Sequence, residues 1–264
     1  MIKLEETKVL NWEAAIRGMR NPKNSWDKSD SVFYYGQLDT PYTINGVMSD
    51  PVVGSIDSHD LALGPNDHKL MMQLARAGSD HRKYMRQIFV SVDITAPLYW
   101  WKEFDTYKVG TVANSCSTMH TIHAKEFELD DFSHEHLISN WNGDNLDAFM
   151  HIPTGDEYEL NGEVHEDIML KSPIDALELI VGILNNNREA YLKTKDKKYW
   201  WQMIQLLPSS YNQKRTVTMN YENLANMYKS RKNHKLDEWH VLCDWVKDLP
   251  YSEIITLEET GEEH

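Results

Sequence analysis

The sequence has few cysteines and no long apolar run. Its 264 residues contain two cysteines, Cys116 and Cys243, which excludes a disulfide framework for a domain of this size and favours a reducing environment. No apolar stretch approaches the roughly 20 residues that a membrane helix needs. The first residues, MIKLEETKVLNW, mix charges of both signs and lack the apolar core of a signal peptide. We therefore predict a cytoplasmic protein that has no membrane segment.

Basic residues are scarce relative to acidic ones. The chain carries 27 Lys and Arg against 41 Asp and Glu, which gives a formal net charge of −14. A protein that wraps nucleic acid needs a concentrated basic face, so we predict no nucleic-acid polymer as partner. A mononucleotide needs only a few local cations and is compatible with this charge. The Gly-x-Gly-x-x-Gly and P-loop motifs, which bind phosphates through backbone N–H groups, are also missing.

Hydrophobic periodicity predicts a mostly helical chain with one clear strand. Residues 87–95 alternate β-branched and more polar side chains, which is the period of a strand, and Ala96-Pro97 ends this strand and opens a helix. For the helix that starts near residue 65, Asn66 or Asp67 is the predicted cap and Gly78 the predicted stop. Apolar residues at helical spacing predict helices at 12–19, 65–78, 98–107, 137–150, 175–192, 197–206, 220–231 and 236–249.

The remaining segments are predicted to be less regular. A short β-like stretch is expected at 31–35, followed by turns up to residue 54. Residues 108–137 are expected to form a polar loop with a β excursion near 120–127, and residues 151–171 another loop. No repeat, low-complexity tract or Pro/Gly-rich linker divides the chain. We therefore predict a single domain over 1–264, with an irregular N-terminal part at 1–60 and a frayed acidic tail at 258–264.

Two distant segments carry motifs in a fixed order. A helix that ends at Gly78 is followed by His81, and an alternating strand then runs into Ala96-Pro97 and an aromatic helix. The later segment reads Leu207-Pro208, Thr218-Met219-Asn220, Leu224, Asn226, Arg231, His234 and Trp239. This layout, over about residues 65–120 and 200–245, resembles the flavin-dependent thymidylate synthases. In that family the strand–Ala-Pro–helix unit carries the signature R-H-R-x-x-S-x-N-E-x-S-x-R.

The signature of that family is largely replaced in this chain. Aligned on Ala96-Pro97, it falls on residues 106–118, where Tyr107 keeps an aromatic ring and Lys108 keeps a charge. Asn114 stands at the position of the glutamate, and Cys116 at that of the serine near the reacting end of the family's pyrimidine. Lysine or threonine does not reproduce the bidentate contact of arginine with phosphate. The lost arginines therefore predict a changed substrate or reaction.

The resemblance implies a fold, a reaction and an assembly. The fold would be mixed α/β (α+β), with a central mixed sheet and long helices, in a homotetramer whose sites lie between subunits. The reaction would transfer a one-carbon unit from methylenetetrahydrofolate to dUMP with FAD and NADPH, or would be a variant modification of a pyrimidine nucleotide. The alternative is a non-catalytic homo-oligomer that keeps the fold and binds a nucleotide or a partner protein.

The resemblance also implies roles for individual residues. The catalytic candidates are Cys116, Tyr107 and Arg231. The cofactor-binding candidates are His81, Lys108, Asn220, Asn226 and His234. The substrate-binding candidates are Asn114, Ser117, Lys214, Arg215 and Arg231.

Each of these residues also has a purely structural interpretation. Asn220 has the residue type and position of a helix cap, Arg231 those of a solvated helix end, and Lys214 and Arg215 those of a surface strand end. A lone cysteine in a loop, such as Cys116, is more often inert than nucleophilic.

Histidines are concentrated in the stretch between the two matching segments. His120, His123, His134 and His136 lie near Asp130 and Asp131, and these residue types bind zinc or iron. Their spacing matches no metal-binding signature, so we predict no metal site.

Overall fold

The computed structural model describes residues 2–33, 43–44, 47–48 and 61–258. The chain divides into two compact units, one made of Ala96–Tyr99 and Cys116–Gln213, and a larger one made of Ile2–Thr95, Trp100–Ser115 and the chain from Lys214 onward. The single-domain organisation stays a prediction. Apart from residues 43–44 and 47–48, which form two short strands, the expected turns up to residue 54 lie outside the described residues, as does nearly all of the acidic tail. Within the described part of the chain, no helix is both long and apolar enough to cross a membrane.

Most of the predicted helices are confirmed, with ends that shift by a few residues. The α-helices are α1 (Trp12–Arg20), α2 (Pro65–Arg76), α3 (Leu98–Phe104), α4 (Thr118–Thr121), α5 (Pro173–Thr194), α6 (Lys197–Leu206), α7 (Tyr221–Arg231), α8 (Asp237–Lys247) and α9 (Glu253–Thr256). The strands are β1 (Lys3–Leu10), β2 (Val32–Phe33), β3 (Thr43–Ile44), β4 (Val47–Met48), β5 (Leu61–Ala62), β6 (Phe89–Pro97), β7 (Val112–Ser115), β8 (Met150–Leu160), β9 (Glu163–Lys171) and β10 (Asn212–Asn220).

A four-stranded sheet in the order β1-β6-β10-β7 forms the centre of the larger unit. β1 pairs antiparallel with β6, and β10 pairs antiparallel with β7. Bonds from Tyr221 N to Ile88 O (3.1 Å) and from Leu98 N to Tyr211 O (3.0 Å) flank the β6–β10 pair and make it antiparallel as well. The mixed α/β fold class is confirmed, with antiparallel pairing in this sheet where we had expected mixed pairing.

Strand β6 follows the alternation of its sequence. Val90, Val92 and Ile94 are buried, whereas Phe89 and Asp93 on the opposite face are exposed or half-buried. The strand begins at Phe89 rather than at residue 87, because Lys83–Gln87 form a short 3₁₀ helix. One face of β6 therefore supplies core, and the other carries polar side chains such as Asp93, which contacts Lys214 and Thr216 of β10.

Aromatic side chains of α3 and α8 fill the core beside this sheet. Trp100, Trp101, Phe104 and Trp239 are all fully buried. The Trp100 ring lies 4.8 Å from that of Trp239 and 5.0 Å from that of Phe104, measured between centroids. Such rings bury large apolar areas and prefer offset or edge contacts. This packing holds α3 and α8 side by side, so that their polar residues meet at its margin.

A buried ion pair joins α1, α2 and the loop before β2. Asp67 is fully buried, and one of its oxygens accepts a hydrogen bond from Arg20 Nε at 2.6 Å. Its other oxygen accepts bonds from the hydroxyls of Ser29 and Ser31 at 2.7 Å and from the N–H groups of Asp30 and Ser31 at 3.1 Å. Burial raises the pKa of Asp67, but the bonds from Ser31, Ser29 and Arg20 outweigh it and leave the pKa below its ordinary value of 3.8.

The start of α2 differs from the prediction. Neither Asn66 nor Asp67 is the cap; the capping position is Gly64, which has no side chain to offer. Instead, the carboxylate of Asp30 accepts hydrogen bonds from Asn66 N at 2.9 Å and from Asp67 N at 3.1 Å. A side chain distant in sequence thus replaces a local cap, which local patterns do not reveal. At the other end of the helix, Gly78 has the predicted positive φ, +98°.

The smaller unit is a helical hairpin with a long β-hairpin. Leu177 and Leu184 of α5 and Met203 of α6 pack against Phe127 and Phe132 in a separate core. α5 begins with a capping box, in which Ser172 Oγ accepts from Asp175 N at 3.2 Å and the carboxylate of Asp175 accepts from Ser172 N at 2.8 Å. The long helix predicted here is therefore confirmed and starts at Pro173.

Several predictions in the less regular segments are wrong. No α-helix covers 137–150, where only Leu146–Ala148 form a 3₁₀ turn; residues 151–171 form the β8–β9 hairpin and not a loop. Its turn, Asn161-Gly162, has φ values of +55° and +83°, which suit a two-residue hairpin turn. The expected excursion near 120–127 is replaced by β7 and α4, and β1 lies in the segment we expected to be irregular.

We expect Asp67→Asn to lower the free energy of unfolding by about 3–5 kcal/mol at neutral pH, because the buried charge of Arg20 loses its partner. The folded pKa of Asp67 lies below the unfolded value of 3.8, so the stabilisation by the ionised carboxylate is complete above that value and is lost as the pH falls through the folded pKa. The difference between wild type and variant should therefore shrink below about pH 4. Urea unfolding followed by circular dichroism at several pH values measures it.

The matched control is Asp156→Asn, which removes an exposed carboxylate on the β-hairpin and should change the free energy of unfolding by less than about 0.5 kcal/mol. A difference for Asp67→Asn that stays constant into strong acid would contradict the ionic interpretation.

Candidate functional site

Four side chains gather at the carboxylate of Glu103 and form with it what we call the Glu103 cluster: Glu103, Tyr107, Arg231, His234 and Trp239. Glu103 Oε2 accepts hydrogen bonds from Arg231 Nη1 at 2.7 Å and from Trp239 Nε1 at 3.0 Å, and it lies 3.4 Å from His234 Nε2. Arg231 Nε donates to the hydroxyl of Tyr107 at 2.9 Å. The structure thus brings together three of the residues proposed from the sequence.

Local structure explains this gathering. Arg231 ends α7, Glu103 lies near the end of α3, and Trp239 lies in the first turns of α8. The guanidinium carbon of Arg231 lies 4.6 Å from the Trp239 ring centroid and 5.6 Å from that of Tyr107, so aromatic faces hold the cation from two directions. The side chain of Arg231 is 18% exposed, which leaves it accessible at the surface.

Glu103 was not among the residues that the sequence singled out. It is the acidic residue in an otherwise mostly aromatic helix, LYWWKEF, and a charge at the edge of such a helix is a signal that could have found it. Trp239 belonged to the matching motif but was not among the catalytic, cofactor-binding or substrate-binding candidates. In the structure these two residues hold Arg231 and His234 in place.

A cavity of about 360 Å³ opens beside the cluster, and Tyr107 belongs to both. Its walls include two proposed residues, Tyr107 and Lys108, together with Asp105 and Thr111. Ligand cavities in proteins span roughly 300–1,000 Å³, so this volume suits a small planar ligand. Thr111 Oγ1 is buried and, among the described residues, has no hydrogen-bond partner. A buried polar atom of this kind is a candidate contact for a ligand.

The loop that carries these residues is held by the start of α7. Asn220 caps α7, because its side-chain oxygen accepts from Asn223 N at 3.0 Å. Asn223 Nδ2 in turn donates to Val109 O at 2.6 Å. Gly110 has φ +74°, and a Cβ there would lie 2.9 Å from Asn220 Nδ2. Asn220 therefore has a structural role, as the capping interpretation required, and that role also positions the loop at the cavity.

The two cations at the start of β10 are engaged by carboxylates. Arg215 Nη1 donates to Asp105 at 2.7 Å, and its guanidinium lies 4.1 Å from the Trp101 ring centroid. Lys214 Nζ lies 3.1 Å from Asp93 and 3.4 Å from Glu5. The hydrogen bond to Asp93 is the main cause that raises the pKa of Lys214. A phosphate would have to compete with these carboxylates for either cation.

Asn226 and Glu222 of α7 form a second polar group together with Arg82 and Arg86. The side-chain oxygen of Asn226 accepts from Arg82 Nη2 at 2.8 Å, and Arg82 and Arg86 both bond to Glu222. Burial raises the pKa of Glu222, but the bonds from Arg86 and Arg82 outweigh it and leave the pKa lowered. His81 precedes Arg82 in the chain and is exposed. The sequence predicted Asn226 and His81, and it missed the two arginines and Glu222.

The remaining candidates lie on β7 and just after it. Asn114 is exposed on β7, opposite Thr216 of β10. Cys116 is exposed and unbonded to another cysteine, and Ser117 caps α4 by accepting from His120 N at 3.3 Å. Cys116 and Ser117 belong to the smaller unit. The other cysteine, Cys243, is buried, and burial raises the pKa of its thiol to about 11, which makes it a poor nucleophile.

The described histidines do not form a metal-binding site. Among residues 2–33 and 61–258, no group of three or more His, Cys, Asp or Glu side chains is arranged to hold a metal ion. His123 packs edge-on against Tyr191 at 4.9 Å between ring centroids, and His134 Nδ1 lies 2.9 Å from Phe132 O. These two histidines therefore serve the packing of the smaller unit.

Comparison with known proteins identifies relatives in fold. No protein-family model and no curated protein sequence matches the chain. Thymidylate synthase X (ThyX) from Helicobacter pylori, solved with FAD and dUMP, superposes with a TM-score of 0.55 at 16% identity, over 96% of this chain and 94% of that one. A UMP/dUMP methylase, PolB from Streptomyces cacaoi, bound with 5-Br UMP, gives 0.51 at 11% identity, over 97% and 94%. The chain therefore has a fold similar to that of the flavin-dependent thymidylate synthases.

We expect Gly110→Ala to lower the free energy of unfolding by about 2 kcal/mol, because the new methyl group combines a left-handed backbone with close contacts to two asparagines. Gly78→Ala is the matched control in the same unit: its φ is also positive, +98°, but a Cβ there meets nothing within 4 Å. It should cost only about 1 kcal/mol.

Urea unfolding monitored by circular dichroism measures both variants. Equal losses would mean that a methyl group at residue 110 fits beside Asn220 and Asn223 at no extra cost, which would contradict this close approach.

Proposed function

We propose that the chain is a flavin-dependent enzyme that modifies a pyrimidine nucleotide by one-carbon transfer. The reaction would convert dUMP to dTMP with methylenetetrahydrofolate, FAD and NADPH, or it would be a variant modification of the pyrimidine. The observation that carries the proposal is the 360 Å³ cavity beside Tyr107 and Lys108, in which Thr111 Oγ1 is buried without a described partner. A homotetramer in the cytoplasm belongs to the same proposal.

The cavity offers the contacts that a pyrimidine nucleotide needs. The ring of Tyr107 provides a face for a planar base, and the hydroxyl of Thr111 can donate to or accept from the edge of the base. Lys108 is exposed on the same loop and supplies a positive charge for a phosphate. Each of these residues would bind or orient the nucleotide.

The second polar group fits a flavin. Asn226 offers both a donor and an acceptor, and Arg82 adds N–H donors beside it, which matches the mixed donor and acceptor edge of an isoalloxazine ring. Asn226, Arg82 and the adjacent His81 would hold and orient the cofactor. When bound, reduced FAD supplies the hydride, while the protein supplies position and electrostatics.

The ion pairs favour a variant substrate over an unaltered dUMP site. Arg231 pairs with Glu103 at 2.7 Å, and Arg215 pairs with Asp105 at 2.7 Å. The guanidinium groups of both arginines are therefore already bound to carboxylates. Lys108 cannot reproduce the bidentate geometry of an arginine. We therefore infer that the base is recognised more strongly than the phosphate.

The same ion pairs favour the second candidate function, a non-catalytic oligomer that binds a nucleotide or a partner protein. In such a protein Arg231 and Arg215 would only stabilise the fold. Each would do so through a salt bridge near the surface and a contact with an aromatic ring.

An absorbance spectrum distinguishes the two candidates. We expect bands near ~370 and ~450 nm that stay with the protein after incubation with FAD and desalting, because a flavoprotein retains its chromophore. Addition of dUMP or UMP should then shift these bands. A spectrum without flavin after this treatment would remove the redox function and leave the non-catalytic oligomer.

Two substitutions with opposite predicted effects test Arg231. We expect Arg231→Ala to weaken binding of dUMP by about tenfold or more, because a charge-assisted contact is lost. Glu103→Gln should instead tighten that binding, because it removes the carboxylate that competes for Arg231 while it keeps an acceptor for Trp239. Isothermal titration with dUMP measures both.

Lys229→Ala is the matched control, since it removes an exposed cation from the same helix. It should leave binding unchanged, and size-exclusion chromatography should show the same assembly for all three variants. If Arg231→Ala and Glu103→Gln both bind as the wild type does, Arg231 is a structural residue only.

Cys116 is tested by turnover. We expect Cys116→Ser to lose formation of the modified pyrimidine nucleotide, because an alcohol at its ordinary pKa is a far weaker nucleophile than a thiolate. Cys243→Ser is a less suitable control because that thiol is buried; Ser115→Ala, at an exposed neighbouring position, serves better. Full activity in Cys116→Ser would show that Cys116 takes no part in the reaction.

A further inference from the structure

Arg20 is a buried arginine whose hydrogen bonds are incomplete. It ends α1 and is 3% exposed. Its Nε donates to Asp67 at 2.6 Å and its Nη1 to Ser25 O at 3.1 Å, but among the described residues Nη2 has no partner. Guanidinium N–H groups that are buried without an acceptor are costly and rare. The missing acceptor suggests that a ligand supplies it.

The cavity next to Arg20 is strongly basic. It has a volume of about 410 Å³, and its walls are Arg20, Lys23, Ser25, Lys28, Asn66 and Leu70. Three of these side chains are cationic and none is acidic, in a chain whose net charge is −14. Like charges gathered in one cavity repel each other and attract an anion.

The neighbouring carboxylates Asp67 and Asp30 bond to groups other than the lysines of this cavity. Asp67 balances the charge of Arg20, and both of its oxygens are occupied by bonds from Arg20, Ser29, Ser31 and the backbone. The oxygens of Asp30 accept from the N–H groups of Asn66 and Asp67. Among the described residues, neither carboxylate forms an ion pair with Lys23 or Lys28, so both ammonium groups can still bind an anion.

A smaller cavity of about 170 Å³ also touches Arg20, but Glu13 lines it together with Arg17 and apolar side chains. Its acidic residue and its size make it the poorer place for an anion.

We propose that the 410 Å³ cavity is a binding site for a phosphate group, either inorganic phosphate or the phosphate of a small metabolite. Arg20, Lys23, Ser25, Lys28 and Asn66 line it from α1, from the following loop and from α2, and each of their side chains carries N–H or O–H donors. Donors from several directions match the acceptor oxygens of a tetrahedral phosphate. The site shares no residue with the Glu103 cluster or its cavity, and the proposal does not depend on the proposed function.

The test is isothermal titration of the full-length protein with inorganic phosphate at constant ionic strength. We expect saturable binding by the wild type, about tenfold weaker binding by Lys23→Gln and by Lys28→Gln, and about hundredfold weaker binding by the double variant, because each change removes one charged donor. Lys193→Gln, at an exposed lysine of α5, is the matched control and should bind as the wild type does. Arg20 itself is not substituted, because its loss would leave the buried carboxylate of Asp67 without its ion-pair partner and so would destabilise the fold.

Titrations with dUMP and with FAD separate the two sources of phosphate. If the double variant loses affinity for one of these ligands while inorganic phosphate binds weakly to every form, the site takes the phosphate of that nucleotide, and the proposal stands with this assignment. If phosphate, dUMP and FAD each bind the double variant as they bind the wild type, or if none of them binds the wild type, the proposal is wrong.

Discussion

The fully buried carboxylate of Asp67 is the constraint on which the described N-terminal half depends. A charge without water must be matched by donors, and here they come from Arg20, from two serines and from the backbone of the loop before β2. These contacts fix the end of α1 against the start of α2. They also determine where the arginine can point, and so where the basic cavity beside it lies.

A second carboxylate, that of Glu103, organises the side chains of the candidate site as Asp67 organises the N-terminal elements. Its acceptor oxygen holds Arg231, His234 and Trp239 in one arrangement, while the aromatic core behind it keeps α3 and α8 in register. The chain is acidic, and near the site its cations are mostly paired. Under the proposed function, recognition there would come from shape, from aromatic faces and from single hydroxyl or amide groups more than from free positive charge. That balance distinguishes this chain from a site built on several arginines.

Periodicity was a good guide to helices and to β6, because burial on one side imposes a spacing that the sequence retains. Periodicity failed where a helix is capped by a side chain distant in sequence, and where neither face of a strand is buried. Asp30 caps α2 from a separate loop, and the exposed β8–β9 hairpin has no consistent apolar face to reveal it, although Asn161-Gly162 signals its turn. In the site, motif spacing located Tyr107, Arg231 and His234. The sequence did not indicate Glu103, and it aligned Thr111 with a hydroxyl position of the family signature without giving it a role. Only the folded chain shows which acceptor meets Arg231 and which hydroxyl, among the described residues, is left unpaired.

The β8–β9 hairpin has a consequence for the behaviour of the protein at high concentration. Its strands expose Met150, Val164 and Ile168, and a two-stranded ribbon leaves backbone N–H and C=O groups on its outer edges, where another chain can add. Glu157 and Glu166 lie directly opposite each other across the pair, an arrangement that costs the hairpin some stability. Stacking identical hairpins would bring still more of these charges together. We therefore expect the repulsion between these glutamates to oppose association of the hairpin with its own copies.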